Sequence, residues 1–254
     1  MVSARSRGRV RRRKTIRDIG EIVLGVLIAL ALGAVASEIG WKLEIFQARR
    51  AIANELGEII GQGRERVGAD RCVEGRLDAI GAILDRAETE GRLPAIGRIG
   101  DPMFRTWSTG VWDATRSAQI ASKMDREEQD DLSGVYRIVD VINQRTDEEL
   151  AAWTQLYAIV GPGRSIGSGE IAALREAISR ARLAHRQIAI SGVMTDRYAR
   201  SLGLPVNDEA VAQYSRTGSA HPCGPLPPYR GERYGSAPLA GRLQTVQDRL
   251  DRSD

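Results

Sequence analysis

The chain has 254 residues, of which 42% are hydrophobic and 28% charged, and its formal net charge is +4. The first 20 residues hold eight basic side chains and one acidic side chain, whereas the rest of the chain holds 29 basic and 32 acidic ones. Because the positive excess lies in a short N-terminal head, it does not indicate nucleic-acid binding by the folded part. We predict no nucleic-acid partner.

The apolar segment after this head predicts a membrane anchor. Residues 22–37 carry no charge, and residues 19–39 would span roughly 31 Å as a helix, which matches a hydrocarbon core of about 30 Å. We assign residues 1–18 to a basic cytoplasmic head and residues 19–40 to one transmembrane helix. The excess of basic residues on the N-terminal side favours a cytoplasmic N-terminus. In a bacterial inner membrane, the bulk of the chain would then be periplasmic, and the lipid bilayer would be its first partner.

Two other interpretations fit the same segment. A basic head, an apolar middle and Ala34-Val35-Ala36 also match a cleaved signal peptide. The length of the head and the helical pattern that continues through Ser37 favour an anchor instead. A buried helix of a soluble protein is the third interpretation, but eight basic residues directly before a core helix would have no packing purpose.

Small residues recur at every fourth position of the anchor, at Gly25, Ala29, Gly33 and Ser37. Such a stripe lets two membrane helices approach closely. We predict that this face packs against another helix, and that the protein forms a homo-oligomer through the anchor and the stalk that follows it. Since bilayer helices are often rich in glycine and alanine, the composition also fits an anchor that does not self-associate.

Apolar residues beyond the anchor recur every three or four positions, and strand-like alternation is almost absent. This periodicity predicts an all-α fold, with one N-terminal transmembrane helix followed by an elongated helical bundle or coiled-coil-like domain. We place this extracytoplasmic domain at residues 41–203. Its first helix continues the anchor as a stalk whose end is loosened by Gly61 and Gly63, and its second helix ends at Gly91.

Capping residues predict further helix boundaries. A third helix is expected over residues 106–124. Asp125 with Glu128 is typical of the start of a fourth helix. Thr146 with Glu149 forms a capping box, which predicts the start of a fifth.

The last long helix is predicted over residues 168–202, after a flexible connector at residues 161–169. Its apolar spacing of three and four suits a bundle core or a coiled-coil seam. The composition then becomes rich in proline and glycine, which predicts a flexible tail over residues 204–254. Residues 239–251 of this tail can form a short amphipathic helix, whose apolar face consists of Leu239, Leu243, Val246 and Leu250.

Several stretches carry a resemblance to known proteins. They are the anchor GEIVLGVLIALAL at 20–32, Cys72, Arg76-Leu77, Leu93-Pro94, Ile99-Gly100-Asp101-Pro102, the stretch from Trp107 to Trp112, Met124 before Arg126-Glu127-Glu128, Tyr136 and Trp153. Over residues 15–205 the chain resembles a group of uncharacterised, single-pass membrane-anchored proteobacterial proteins with a helical extracytoplasmic domain and no assigned activity. The resemblance implies the topology and the helical fold, and it implies no catalytic residue.

Residue types that carry chemistry are few. His185 falls at a seam position of the last long helix, between Arg182 and Arg186, which favours a partly buried or interfacial side chain over a catalytic one. Cys72 and Cys223 lack the CxxC spacing of zinc and thioredoxin-type sites. In the periplasm they can pair with each other, although Cys72 also fits a small buried residue. We predict no metal site and no cofactor.

The sequence contains no nucleophile elbow, no zinc-protease motif and no phosphate-binding loop, so we predict a non-enzymatic protein. A cluster of Phe104, Arg105, Trp107 and Trp112 can line a groove for a partner or a ligand, although aromatic residues are more often core anchors. The predicted role is binding or scaffolding with an unidentified membrane or periplasmic protein. The alternative is a helical sensor-type domain that binds a ligand and signals through a partner.

Overall fold

The computed structural model describes residues 5–216 and 225–231, with side chains for residues 23–214 and 225–231. The described residues are mostly helical, which confirms the predicted all-α class. The helices are α1 (Arg5–Gly68), α2 (Asp70–Glu90), α3 (Gly110–Ser117), α4 (Arg126–Leu156), α5 (Ser168–Ser201) and α6 (Asp208–Arg216). Two short strands, β1 (Arg92–Leu93) and β2 (Arg164–Ser165), pair antiparallel.

The chain divides into two compact units. The first comprises Met1–Ile52 and Gly110–Gln129, and the second comprises Ala53–Thr109 and Asp130–Asp254. α1 therefore begins in the first unit and ends in the second, and α4 begins in the first unit and continues into the second.

In the first unit, the apolar part of α1 is exposed along residues 23–39. Among the described residues, one helix is long and apolar enough to cross a membrane, with a mean hydropathy of 2.1 over its most apolar window and none of that window buried. Further along α1, Arg49 forms an ion pair with Glu128 in the first turn of α4. Asp125 accepts a hydrogen bond from the backbone N–H of Glu127, which confirms the predicted start of this helix.

The third helix is shorter than predicted. It begins at Gly110 and ends at Ser117, whereas the prediction was 106–124. Gln119 adopts a left-handed conformation with φ of 60°, which a right-handed helix cannot contain. A single 3-10 turn at Ala121–Lys123 follows it.

The predicted helix start at Thr146 is wrong, because α4 continues through it to Leu156. The Thr146 hydroxyl donates 2.9 Å to the carbonyl of Ile142 in the preceding turn, which is how threonine behaves inside a helix. Glu149 is buried and does not reach back to cap a helix. The capping-box pattern was therefore a coincidence of spacing within one long helix.

The second unit is built on α2 and α5, which run antiparallel. Their core includes large aliphatic side chains of both helices, together with the C-terminal part of α4 and the loop after β1; its fully buried members include Leu77, Ile80, Leu84, Ile99, Trp153, Leu156 and Ala181. α2 ends as predicted at Gly91, which has a positive φ of 66°. The predicted connector 161–169 contains β2, which pairs with β1 through Arg92 and Ser165.

The prediction that α1 loosens at Gly63 is wrong, because the helix continues to Gly68. Gly63 faces Gly192 of α5, and a Cβ added at Gly192 would lie 2.8 Å from the Cα of Gly63. The two backbones are this close because neither residue has a side chain. Packing against α5 therefore supports the helix where the sequence indicated its end.

The predicted tail contains structure in its described part. α6 forms at Asp208–Arg216, and Pro228 pairs with Ile96 as an isolated bridge. The predicted amphipathic helix 239–251 and Cys223 lie outside the described residues.

Candidate functional site

Charged side chains in the interior of the second unit form the candidate site. The buried polar residues of the described chain are Glu55, Glu65, Arg66, Arg76, Thr115, Thr146, Glu149, His185 and Thr195. Three of them, Arg66 of α1, Glu149 of α4 and His185 of α5, lie together and are here named the buried cluster. Charged groups are rarely buried unless they are paired, so each contact of this cluster bears on its role.

Arg66 and Glu149 form the ionic part of the cluster. The guanidinium donates through Nη2 to Glu149 Oε2 and through Nη1 to the carbonyl oxygen of Met103 at 2.8 Å. The two side chains are 3% and 1% exposed. Both ions have therefore lost nearly all contact with water, and each depends on the other for compensation.

His185 connects Glu149 with a residue at the surface. Its Nε2 lies 3.1 Å from Asp70 Oδ1, and its Nδ1 lies 3.8 Å from Glu149 Oε1. His185 is fully buried, whereas the Asp70 side chain is 50% exposed. The three residues form a path from solvent, through the imidazole ring, to a buried carboxyl group.

The contact of His185 with Asp70 indicates which ring nitrogen carries the proton of the neutral imidazole. A carboxylate oxygen of Asp70 accepts from Nε2–H, so the neutral ring of His185 presents a lone pair at Nδ1. That lone pair faces Glu149 Oε1, and two unprotonated acceptors repel each other. The pair is therefore favourable when one more proton is present, on the carboxyl group or on the ring. At 3.8 Å, however, Nδ1 and Oε1 do not form a hydrogen bond with each other.

The pKa shifts of the two residues follow from burial. Desolvation raises the pKa of Glu149 above its ordinary value, against the opposing charge and hydrogen bond of Arg66. Desolvation, followed by the charge of Arg66, lowers the pKa of His185 to about 4, although Asp70 acts in the opposite direction. At neutral pH the imidazole is therefore uncharged, and burial makes the ionised form of Glu149 more costly than it is in water.

Four polar atoms around this site have no hydrogen-bond partner among the described residues: Arg66 Nε, Glu149 Oε1, Trp153 Nε1 and His185 Nδ1. Trp153 lies one helical turn after Glu149 on α4. Such atoms are normally paired in an interior, so their concentration here distinguishes this region from the rest of the core.

A second network holds the segment before α3 against α1. Glu55 accepts hydrogen bonds from Ser108 Oγ at 2.8 Å and from Tyr136 OH at 2.6 Å. Glu65 pairs with Arg105 through two hydrogen bonds, of 2.9 and 2.6 Å. The part of α1 that belongs to the second unit thus carries successive buried charges.

Ion pairs also line a surface cleft between α2 and α5. Arg175 pairs with Asp85 and Glu88, and Arg182 pairs with Glu74 and Asp78. Between these two sets of pairs, small residues including Gly81 and Ser179 leave a cleft of about 430 Å³. A second cleft of about 310 Å³ is mostly apolar and is lined by Val67, Ala189, Ile190, Val193, Met194 and Arg197.

The residues predicted as sites lie in different environments. Gly25, Ala29, Gly33 and Ser37 are exposed on α1, and a Cβ at either glycine would meet nothing within 4 Å. Phe104 is 53% exposed, whereas Trp107 and Trp112 are each only 3% exposed. Arg105 is held by Glu65. The packing face and the groove stay predictions.

Glu149 was missed by reasoning from sequence, and a signal for its burial was present. Glu149 lies on the same helical stripe as Val139, Ile142 and Trp153, all of which are buried. A charged residue at an apolar position of such a stripe indicates a buried partner. Its partner, Arg66, carries the same signal, since it lies seven residues after the buried Ile59 on the apolar stripe of α1. The sequence does not indicate that these two residues, 83 positions apart, pair with each other.

Comparisons with protein-family models, with curated proteins and with solved structures found no match. Within the described residues, no group of three or more histidine, cysteine, aspartate or glutamate side chains is arranged to hold a metal ion. Cys72 is disulfide-bonded. The chemistry open to the buried cluster is a change in the protonation of Glu149 or His185, whose pKa values burial shifts in opposite directions.

Proposed function

We propose that this protein is a single-pass, non-enzymatic binding or scaffold protein of a bacterial inner membrane, with a cytoplasmic N-terminus and a periplasmic helical domain. The observation that carries the proposal is the exposed apolar segment of α1 at residues 23–39. Sixteen of these seventeen residues are apolar or small, and Glu38 is the exception; such a segment is costly in water and stable in a bilayer. The same helix then continues into the folded second unit.

Two further features support the orientation. The head before the segment holds eight basic side chains, which favours its retention in the cytoplasm. Cys72 is disulfide-bonded, and disulfides persist in oxidising compartments such as the periplasm.

The proposal extends to the shape of the domain, its relatives and its partners. We take the domain to be an elongated bundle of the coiled-coil type, because buried residues of α5 recur at three and four, at Ile171, Leu174, Ile178, Ala181, His185 and Ile188. We assign the chain to the group of proteobacterial anchored proteins that it resembles. Its partners are the bilayer, a second copy through the anchor and stalk, and a membrane or periplasmic protein. A role in binding, rather than catalysis, fits the burial of Arg66 and Glu149, whose side chains are 3% and 1% exposed.

The test is protease digestion of spheroplasts that carry the protein with a C-terminal tag. Loss of the full-length membrane-bound band on intact spheroplasts is the expected result, with a cytoplasmic protein as the control for lysis. A band that is protected until lysis would place the domain in the cytoplasm. A shortened and freely soluble band before digestion would mean that the apolar segment is a cleaved signal.

A sensor-type domain is the second candidate, and the buried cluster is the observation that favours it. α1 contains both the apolar segment and Arg66, which pairs with the buried carboxyl group of Glu149. A change of protonation at Glu149 alters the charge that faces a residue of the membrane helix itself. Cross-linking of the protein to its neighbours in the membrane, compared between pH 7 and pH 5 for the wild type and Glu149→Gln, tests this role. A pH-dependent pattern that the substitution abolishes is the expected result, and identical patterns in both proteins would contradict it.

A further inference from the structure

Lys123 lies beside the end of the apolar segment, although 82 residues of sequence separate it from Trp41. Its Nζ is 5.4 Å from the centre of the Trp41 ring, within the first unit. Trp41 follows Ile39, the last exposed apolar residue of the segment, by two positions, or about 3 Å of helix rise. If residues 19–40 span the membrane, as proposed above, the turn at Ala121–Lys123 is therefore at the depth of the lipid headgroups.

The face of α1 opposite to Trp41 and Lys123 remains apolar beyond the end of the apolar segment. Ile39, Leu43 and Phe46 recur at four and three positions and are 63%, 56% and 56% exposed. The guanidinium of Arg50 lies 5.9 Å from the centre of the Phe46 ring, which continues the same face by four positions. Large apolar side chains in this position are unfavourable in water.

The remaining face of α1 is occupied. Ala48 and Ile52 are buried, and Arg49 pairs with Glu128 at the base of α4, with Nε and Oε1 2.8 Å apart. On a helix with 100° between residues, this face lies on the other side from Leu43 and Phe46. The segment 110–129 therefore packs along one side of α1 and leaves the other side open.

The depth of these residues identifies what covers the open face. Leu43 lies four residues after Ile39, or about 6 Å of rise, which is within an interfacial layer about 5–8 Å thick. Phe46 lies about 10 Å of rise after Ile39, and its side chain reaches this layer because helical side chains point back toward the N-terminus. Arginine side chains on a helix point back toward its N-terminus, so the guanidinium of Arg50 returns to the level of Phe46. Apolar side chains with a cation beside them suit the boundary between acyl chains and phosphates.

We propose that Leu43, Phe46 and Arg50 on one side of α1, with Lys123 on the other, form a collar that binds the phosphate headgroups of the leaflet from which α1 emerges. Leu43 and Phe46 enter the boundary with the acyl chains, and Arg50 and Lys123 pair with phosphodiester oxygens. The collar prefers anionic phospholipids, because both of its polar groups are cations. This inference rests on the proposed membrane anchor.

The test uses nitroxide labels on the full-length protein in vesicles of phosphatidylethanolamine and phosphatidylglycerol. Labels are attached to Leu43→Cys, Phe46→Cys and Ser122→Cys, each in a separate protein, without reductant because Cys72 is disulfide-bonded. The ratio of collisions with oxygen to collisions with a water-soluble nickel complex reports depth. A label at Val26→Cys, in the centre of the apolar segment, reports whether the anchor is inserted at all.

The expected result is a ratio at residues 43, 46 and 122 several-fold above the value in water and below the value at residue 26. Water-like ratios at 43, 46 and 122, with residue 26 deep in the bilayer, would overturn the collar while the anchor stands. Spin–spin broadening at 43 and 46 with exclusion of both reagents would assign the face to a second copy instead. A water-like ratio at residue 26 would overturn the anchor itself.

The preference for anionic lipid is tested by substitution. Arg50→Gln combined with Lys123→Gln is expected to abolish the increase in depth at residue 46 that follows added phosphatidylglycerol. Arg116→Gln, an exposed arginine of α3 in the same unit, is the matched control and should leave that increase unchanged. An equal effect of both substitutions would show that only general charge attraction is present and would contradict a collar.

Discussion

Arg66 of α1 donates a hydrogen bond to Glu149 of α4 across 83 residues of sequence, and both side chains are almost completely buried. Both residues belong to the second unit, and Arg66 lies on the helix that also carries the apolar segment. An ion pair in the core provides specificity more than stability, because the cost of removing two charges from water offsets their attraction. His185 adds a third buried group, whose Nδ1 lies 3.8 Å from Glu149 Oε1.

Replacing Glu149 by alanine leaves the guanidinium of Arg66 buried without its counterion. We expect Glu149→Ala to lower the free energy of unfolding by about 3–5 kcal/mol, as measured by denaturant titration in detergent micelles. Glu148→Ala, at the residue directly before Glu149, is the matched control. Glu148 forms a half-exposed pair with Arg145, and its loss should cost less than about 1 kcal/mol. Equal losses for the two variants would contradict the buried pair.

The depressed pKa of His185 predicts a loss of stability in acid. The ring binds a proton more weakly when folded, with a pKa of about 4 against an ordinary value of 6.5. The unfolded chain therefore takes up more protons, so this contribution is full above pH 6.5 and is lost as the pH falls toward 4. At 1.36 kcal/mol for each pKa unit, this lowered pKa corresponds to about 3 kcal/mol of the free energy of unfolding. His185→Gln should show a correspondingly smaller loss over that range.

Glu149 acts in the opposite direction, because its raised pKa lets the folded protein gain a proton at higher pH than the unfolded chain does. The comparison is therefore made in a Glu149→Gln background, with thermal unfolding followed at several pH values. Arg66, Asp70 and Glu74, the other charged groups that act on the ring, are unchanged in both proteins. If stability depends on pH in the same way in Glu149→Gln and in the double variant with His185→Gln, the ring of His185 does not titrate as inferred.

The close approach of α1 and α5 predicts a contrast between two glycines. A methyl group at Gly192 would lie 2.8 Å from the backbone of Gly63, so Gly192→Ala should destabilise the protein by about 1–3 kcal/mol. Gly75 of α2 is also helical, but a Cβ there meets nothing within 4 Å. Gly75→Ala should stabilise the protein by about 0.5–1 kcal/mol, since glycine is entropically unfavourable in a helix. Stabilisation by both substitutions would contradict the close helix contact.

The small-residue face of the anchor predicts self-association. Gly33→Leu should abolish cross-linked dimers in native membranes, because the larger side chain keeps two helices apart. The substitution should leave the folded part intact, because among the described residues nothing outside the adjacent helix backbone lies within 4 Å of a Cβ at Gly33. Val35→Leu, about 200° away around the helix, is the control and should leave the dimers unchanged. Dimers that survive Gly33→Leu would place the contact elsewhere.

The sequence by itself determined the helical class, the apolar segment and several helix ends, because each depends on residues close together in the chain. The glycine at 91 and the aspartate at 125 act within one turn of their own helices, and both predictions are confirmed. The long helix α5 was placed within one residue for the same reason, since its apolar spacing is local.

Only the tertiary structure decided the roles of Thr146, Glu149 and Gly63. Capping boxes and helix-ending glycines have the same local spacing whether or not a neighbouring helix supports the backbone. At Gly63 that support comes from Gly192, and at Glu149 the counterion comes from Arg66, each through contacts over long sequence separations. Contacts of this kind depend on how helices pack, and the free energy of packing can override a local signal worth about 1 kcal/mol.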